Sequence, residues 1–266
     1  MSRLLALGVL PSVILFAATL ANAQPKPKPK PTPGCAAVPD HAKLVAALQA
    51  VVKQGKEANT GMGNHEWAAV VNRDGVVCAV VYSGPDRGAE WPGSRVIAAE
   101  KANTANALSS PNFALSTANL FFPSQPGQSL FGLTTTAPPN AQAVYTGSPE
   151  QYGQEGDPLV GKPIGGIVVF GGGLALYEPS GKLVGGLGVS GDTACADHVV
   201  AWKVRHALAL DAVPAGVAKT GTDNMILDIQ NGASASGFGH PSCKGGKAPD
   251  ETIRSLPEQF PVGPKK

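Results

Sequence analysis

The sequence predicts an α+β fold: an antiparallel sheet with helices packed on it, split by a long loop-like insertion. Three observations lead there. Residues 67–82 hold two β-branched-rich runs joined by Asn72-Arg73-Asp74-Gly75, a hairpin connection. Residues 174–189 repeat the arrangement around Glu178-Pro179-Ser180-Gly181. Three stretches around these hairpins place apolar residues at helical spacing.

The elements follow in order. Asp40 is the N-cap of a first helix over residues 40–58, with Leu44, Val45, Leu48, Val51 and Val52 on one face. Strands at 67–71 and 76–82 flank a turn in which Gly75 takes positive φ. Ser94 caps a second helix running to Leu108, whose alanines allow close packing. Residues 113–122 are short and mixed. Residues 167–170 and 174–177 read as strands around Gly171-Gly172-Gly173, and 182–189 as one more. Asp192 or Thr193 caps a third helix that ends near Leu210, with Val199, Val200, Val204 and Leu208 as its apolar positions. Hairpin connections place the helices to one side of the sheet.

The ends have their own composition. Arg3, the apolar run 4–20 and Ala21-Asn22-Ala23 form a secretory leader cleaved after residue 23. A retained membrane anchor needs about 20 apolar residues, and Pro11, Ser12 and Thr19 weaken this run. No transmembrane span is expected after cleavage, so the protein is expected to be periplasmic or secreted. Residues 24–34, QPKPKPKPTPG, make an extended tether. One domain spans 35–250, and 251–266 is expected to be a flexible tail. The insertion at 123–162 is rich in Pro, Gly, Ser and Thr, and a loop that long tends to be functional. It is either an arm, packed on a neighbour or a sheet edge, or a ligand lid. Its Leu130, Phe131, Leu133, Val144 and Tyr145 are too apolar for a free loop, so a homo-oligomer is expected.

Charge excludes one class of partner. The whole chain has 21 Lys and Arg against 19 Asp and Glu, but the leader holds one of the bases and the tether three. The folded part is therefore slightly acidic and has no basic run with interleaved aromatics, so no nucleic-acid partner is expected. Cys35, Cys78, Cys195 and Cys243 belong to an exported chain, where two disulfides are the default. Of three possible pairings we favour Cys35–Cys78, stapling the N-terminal segment to the second strand. Cys195–Cys243 then ties the Gly-rich C-terminal region to the third helix. No C-x-x-C exists, which removes short-range zinc signatures and covalent c-type haem attachment.

Enzyme motifs are scarce. Gly186-Leu187-Gly188-Val189-Ser190-Gly191 fits G-x-G-x-x-G, but its strand is half of a hairpin and no acid-ended strand follows. Its glycines are expected to allow close helix–sheet packing. There is no G-x-S-x-G elbow, no H-E-x-x-H and no P-loop. Scattered acids such as Asp192, Asp197 and Glu100 receive no metal assignment. Lys101 is either a buried-stem lysine paired with an acid or a ligand contact.

The segments WAAVVNRDGVVCAVVYSGPDRGAEWPGSRVIAAEKANTA, from Trp67, and KLVGGLGVSGDTACADH, from Lys182, decide the family expectation. Together they resemble the GlcG/HbpS-like family over roughly residues 40–210, many members of which are described as haem-binding. The resemblance implies a profilin-like arrangement and a non-covalent haem or other small-molecule ligand, in a binding protein rather than an enzyme. An accessory protein or enzyme acting on a small organic acid or cofactor, and a structural oligomeric module, are the rival readings. With haem implied, the histidines become iron-ligand candidates. His198 is first, followed by His240 and His65; His41 is assigned to capping, and His206 lies two turns from His198. Gly188, Gly191 and Asp192 open the third helix, where free N–H groups suit a propionate, and Phe238 is placed to stack on the porphyrin.

Overall fold

The computed structural model describes residues 32–246 and 248–264. The leader and tether residues 24–31 lie outside them. Helix α1 (His41–Val52) is followed by strands β1 (Trp67–Asn72) and β2 (Val77–Tyr82), then helix α2 (Ser94–Ala107). After the insertion come β3 (Gly173–Tyr177), β4 (Leu183–Ser190), α3 (Ala194–Ala207) and α4 (Pro249–Gln259). The four strands form one antiparallel sheet in the order β2-β1-β4-β3, so the two hairpins meet along β1 and β4.

Local chemistry explains these bounds. Asp40 caps α1 by accepting from the Lys43 amide at 2.9 Å. That helix stops at Val52, short of the expected residue 58, and the chain turns at Gly55 with φ +76°. Gly75 takes φ +73° in the first hairpin, where Asn72 Oδ1 also accepts from the Asp74 and Val76 amides. Ser94 is not a cap: it is the first residue of α2, buried, with its hydroxyl bonded to Ser190 Oγ. Thr193 caps α3 through the Ala196 amide.

Helices cover both faces of the sheet, not one. Ala68 and Val70 of β1 turn toward α1, α3 and α4, into a core with Leu44, Leu48, Val199 and Trp202. Trp67, Ala69 and Val71 turn the other way, toward Ala98, Ala99 and Ala102 of α2. Each fully buried leucine here contributes about 1.5–3 kcal/mol. On β4, a Cβ at Gly186 would overlap the Ala102 carbonyl, and one at Gly188 the Ala98 carbonyl. These glycines let the α2 backbone lie directly on the sheet.

Two expected features differ. Residues 167–170 are not a strand. Thr104 Oγ1 takes the Val168 amide at 3.0 Å and Thr117 donates to the Phe170 carbonyl at 2.7 Å, so side chains replace the ladder. The C-terminal residues are not a loose tail: α4 buries Ile253 and Leu256, and Trp202 donates to the Phe260 carbonyl at 3.0 Å. Cys35 is bonded to Cys78, with Cα atoms 5.6 Å apart, and Cys195 to Cys243 at 6.0 Å.

The insertion folds back on its own chain. Ala143, Val144, Leu159 and Ile164 fill the α2 side of the core. Main-chain bonds from Val77 to Lys162 and from Gly161 back to Val77 seal the β2 edge, an edge that would otherwise expose unpaired groups. Leu130, Phe131 and Tyr145 stay exposed. Among the described residues no helix is long and apolar enough to cross a membrane.

Candidate functional site: a cleft between the second helix and the insertion

A cleft of about 620 Å³ opens between α2, the 83–93 loop and the insertion. Its walls include Trp67, Val96, Ile97, Val144, Tyr145 and Tyr152. Its size lies within the range of about 300–1,000 Å³ typical of small-molecule sites. Val96, Ile97 and Glu100 share a face of α2 because they lie three and four residues apart.

One buried ion pair holds the far wall. Arg95 reaches from α2 to Asp157 of the insertion in a two-pronged contact, with Nε–Oδ2 at 2.9 Å. It also donates to the Val144 carbonyl at 3.0 Å, and its guanidinium lies 3.8 Å over the Tyr152 ring. Asp157 in turn accepts from the Gly153 and Leu159 amides at 2.7 and 2.8 Å. Both side chains are almost wholly buried, so the pair fixes how the insertion lies on α2. At the mouth, Arg87 meets only the exposed Glu150, at 3.7 Å, and is available to an anionic ligand group.

Two polar groups of the cleft lack partners among the described residues. Glu100 is half-buried, has no side-chain hydrogen bond or ion pair there, and burial raises its pKa. The Trp67 indole N–H is buried without an acceptor.

A second polar cluster is sealed where α2 meets the end of β4 and the first turn of α3. Lys101 is fully buried, with Nζ 2.6 Å from Asp197 and 3.0 Å from the Val189 carbonyl. This settles Lys101 as a paired core lysine. Burial pushes the Asp197 carboxyl up to about 6 against the pull of Lys101. Burial, with Asp197 and Asp192 nearby, also raises Glu66, whose Oε2 has no partner.

The histidines are scattered. His198 is fully buried: Nε2 lies 3.2 Å from Asn224 Oδ1 and 3.1 Å from the Met225 amide, Nδ1 is unpartnered, and burial holds the ring down to about 3. A porphyrin has no approach to that imidazole without parting α3 from the 224–225 segment. His240 is buried too, held down to about 4 by burial, with Nδ1 bonded to the Pro241 carbonyl at 2.7 Å. The ring packed on it is Phe121, with centroids 5.2 Å apart, rather than the expected Phe238 on a ligand. Both His240 and His198 do converge near Gly171: His240 Nε2 accepts its amide at 3.4 Å, and a Cβ there would touch His198. His65 stands exposed beside Ser83. His41 does not cap; it bonds the Gly153 carbonyl at 2.9 Å, while His206 pairs with Asp211 at 2.7 Å.

The α3 opening is occupied by the chain itself. Asp197 accepts from the Gly191 and Asp192 amides at 3.1 and 2.9 Å, and Asp192 accepts from Met62 and Asn64. A Cβ at Gly191 would meet the His65 carbonyl. Gly188 lies under α2. The turn expected to admit a propionate is thus filled by a protein carboxylate, and the flat space beside it by helix backbone.

The family model described as haem degrading protein, HbpS-like, matches residues 40–205. The chain belongs to the HbpS-like family. The match includes β1, β2, α2, the insertion, β3, β4 and most of α3, so this HbpS-like chain carries its whole cleft inside the family region. No curated protein matches it. Three solved structures are similar to it. The structure titled as a PduOC:heme complex is 26% identical, covers 62% of this chain and 89% of its own, and has a TM-score of 0.42. The Klebsiella pneumoniae protein ORFY, of the DUF336 family model, is 22% identical, with 63% and 86% covered and a TM-score of 0.43. HbpS is 17% identical, with 62% and 83% covered and a TM-score of 0.37.

Arg95 and Asp157, which fix the cleft wall, were not singled out in the sequence. Arg95 carried a signal, as a lone guanidinium among small residues of a packed helix. Asp157 did not, because nothing in the chain marks which acid of a 40-residue insertion folds back on it.

Proposed function

We propose that this HbpS-like chain is an exported protein that binds haem non-covalently in the cleft between α2 and the insertion. The observation that carries the reading is the cleft itself: a largely apolar space of about 620 Å³, inside the family region, with one available cation at its mouth. Its residues suit a flat amphipathic acid. Val96, Ile97 and Val144 supply apolar wall, and Trp67 and Tyr152 supply aromatic edges. Arg87 is free to leave Glu150 for a propionate, a charge-assisted contact. The Arg95–Asp157 pair holds the insertion as the wall that excludes water. Bound iron would supply the redox chemistry; the chain's part is to hold, orient and shield the ring.

Two further parts belong to the proposal. Export rests on the leader pattern and the two disulfides, and an intact-mass measurement should show a chain starting at Gln24 with four hydrogens missing. Self-association rests on Leu130 and Phe131, which the insertion leaves exposed after burying Val144 in its own subunit. The ligand reading is tested by titrating haemin into the purified mature protein. A saturable Soret shift is expected; a spectrum identical to free haemin at every ratio would overturn it.

A further inference from the structure

We infer that Glu100 is the metal-facing oxygen ligand of the cleft, the carboxylate that meets the iron of a bound ferric porphyrin. The inference rests on the cleft reading above and deepens it. Three observations carry it. Glu100 lines the cleft one turn beyond Val96 and Ile97, on the same face of α2, so a ring resting on that apolar wall lies beside the carboxylate. It is half-buried, yet takes no hydrogen bond or ion pair from any described residue. The cations near it are not paired with it: Arg95 is held by the buried Asp157, Lys101 next to it in sequence is spent on Asp197, and Arg87 stands at the mouth against the exposed Glu150. Finally, space is set aside for it. Gly166, at φ +74°, faces this carboxylate, and a Cβ there would overlap Oε1.

The other donors fit less well. No imidazole and no sulfur lines the cleft. The Tyr152 hydroxyl donates to the Thr146 carbonyl at 3.3 Å, and its ring face is covered by Arg95. Tyr145 stands at the rim, 77% exposed. A partly desolvated carboxylate without a partner gains most from a nearby cation, and ferric iron is hard enough to prefer oxygen. An ordinary apolar pocket would place no such group on its wall, because an unpaired acid there costs free energy.

The test compares two probes that differ only in the metal: haemin and metal-free protoporphyrin IX. Wild type should bind both. Glu100→Gln, nearly isosteric, should weaken haemin by about tenfold or more, equivalent to about 1.4 kcal/mol, and change the ferric spectrum. Protoporphyrin IX affinity, read by fluorescence, should stay within about twofold of wild type, well under that tenfold step. Glu100→His should restore haemin binding with an imidazole-ligated spectrum. An equal loss for both probes would overturn the inference, since Glu100 would then only shape the cleft. So would an unchanged haemin spectrum in Glu100→Gln, which would move the ligand to Tyr145. Failure of wild type to bind either probe would overturn the cleft reading itself, and with it this one.

Discussion

Replacing Asp157 by Ala should detach the insertion from α2. The change leaves the Arg95 guanidinium buried, with 3% of its side chain exposed and only the Val144 carbonyl as acceptor. It also strips the Gly153 and Leu159 amides of their acceptor. Breaking a buried pair by removing one partner costs about 3–5 kcal/mol. Each orphaned amide adds about 1–3 kcal/mol in isolation, but these terms overlap and do not add. The insertion can also peel away and let water reach Arg95, which caps the loss at the free energy of that local opening. The expected cost is therefore about 3–5 kcal/mol in urea unfolding. Hydrogen exchange should quicken at Gly153 and Leu159, while the amides of β1 and β4 change only by the global loss. Arg87→Ala, which removes a contact at the surface, serves as the control and should leave stability unchanged. A loss below about 1 kcal/mol for Asp157→Ala, with unaltered exchange in the insertion, would refute the claim that this pair anchors the cleft wall.

Three further outcomes are expected. Gly188→Ala should cost about 3 kcal/mol or more by thermal or urea unfolding, because the added methyl meets a helix carbonyl that has nowhere to move. His240, held down to about 4 by burial, stays neutral in the fold while the unfolded chain takes up a proton below about 6.5. Its share of stability is thus lost as pH falls between those values, at about 1.4 kcal/mol per pH unit, and His240→Gln should flatten the acid limb of a stability–pH profile by that slope. Phe131→Glu should lower the mass measured by sedimentation if the insertion joins subunits, and an unchanged assembly would show that Leu130 and Phe131 do not.

The two hairpins and three main helices were legible because their signals are local: valine-rich runs, an Asn-Arg-Asp-Gly turn, and apolar residues every three or four positions. Misreadings arose where distant groups decide. Residues 167–170 look like a strand, but Thr104 and Thr117 take their backbone groups from across the fold. Residues 251–266 read as a flexible tail, yet most of them belong to the helix Pro249–Gln259, which continues through Pro257. Pro249 in the first turn, Asp250 and Glu251 beside it, and Ile253 and Leu256 at helical spacing were nonetheless the signs of a docked helix. The candidate site suffered most. His198 and the Gly-rich turn carry the right residue types for haem, but sequence does not report that Asn224 and Asp197 already occupy them. The cleft depends on a fold-back of the insertion, a pairing between residues 62 positions apart in Arg95 and Asp157.

The most direct measurement is a haemin titration, followed at the Soret band, of wild type, Ile97→Glu and His198→Gln side by side. Ile97→Glu puts a second carboxylate on the cleft wall, whereas His198→Gln alters the buried imidazole. The account predicts at least about a tenfold loss of affinity for Ile97→Glu, equal to about 1.4 kcal/mol, and a wild-type spectrum for His198→Gln. A shifted or lost Soret band in His198→Gln, with Ile97→Glu binding as wild type does, would contradict it and return the site to the third helix.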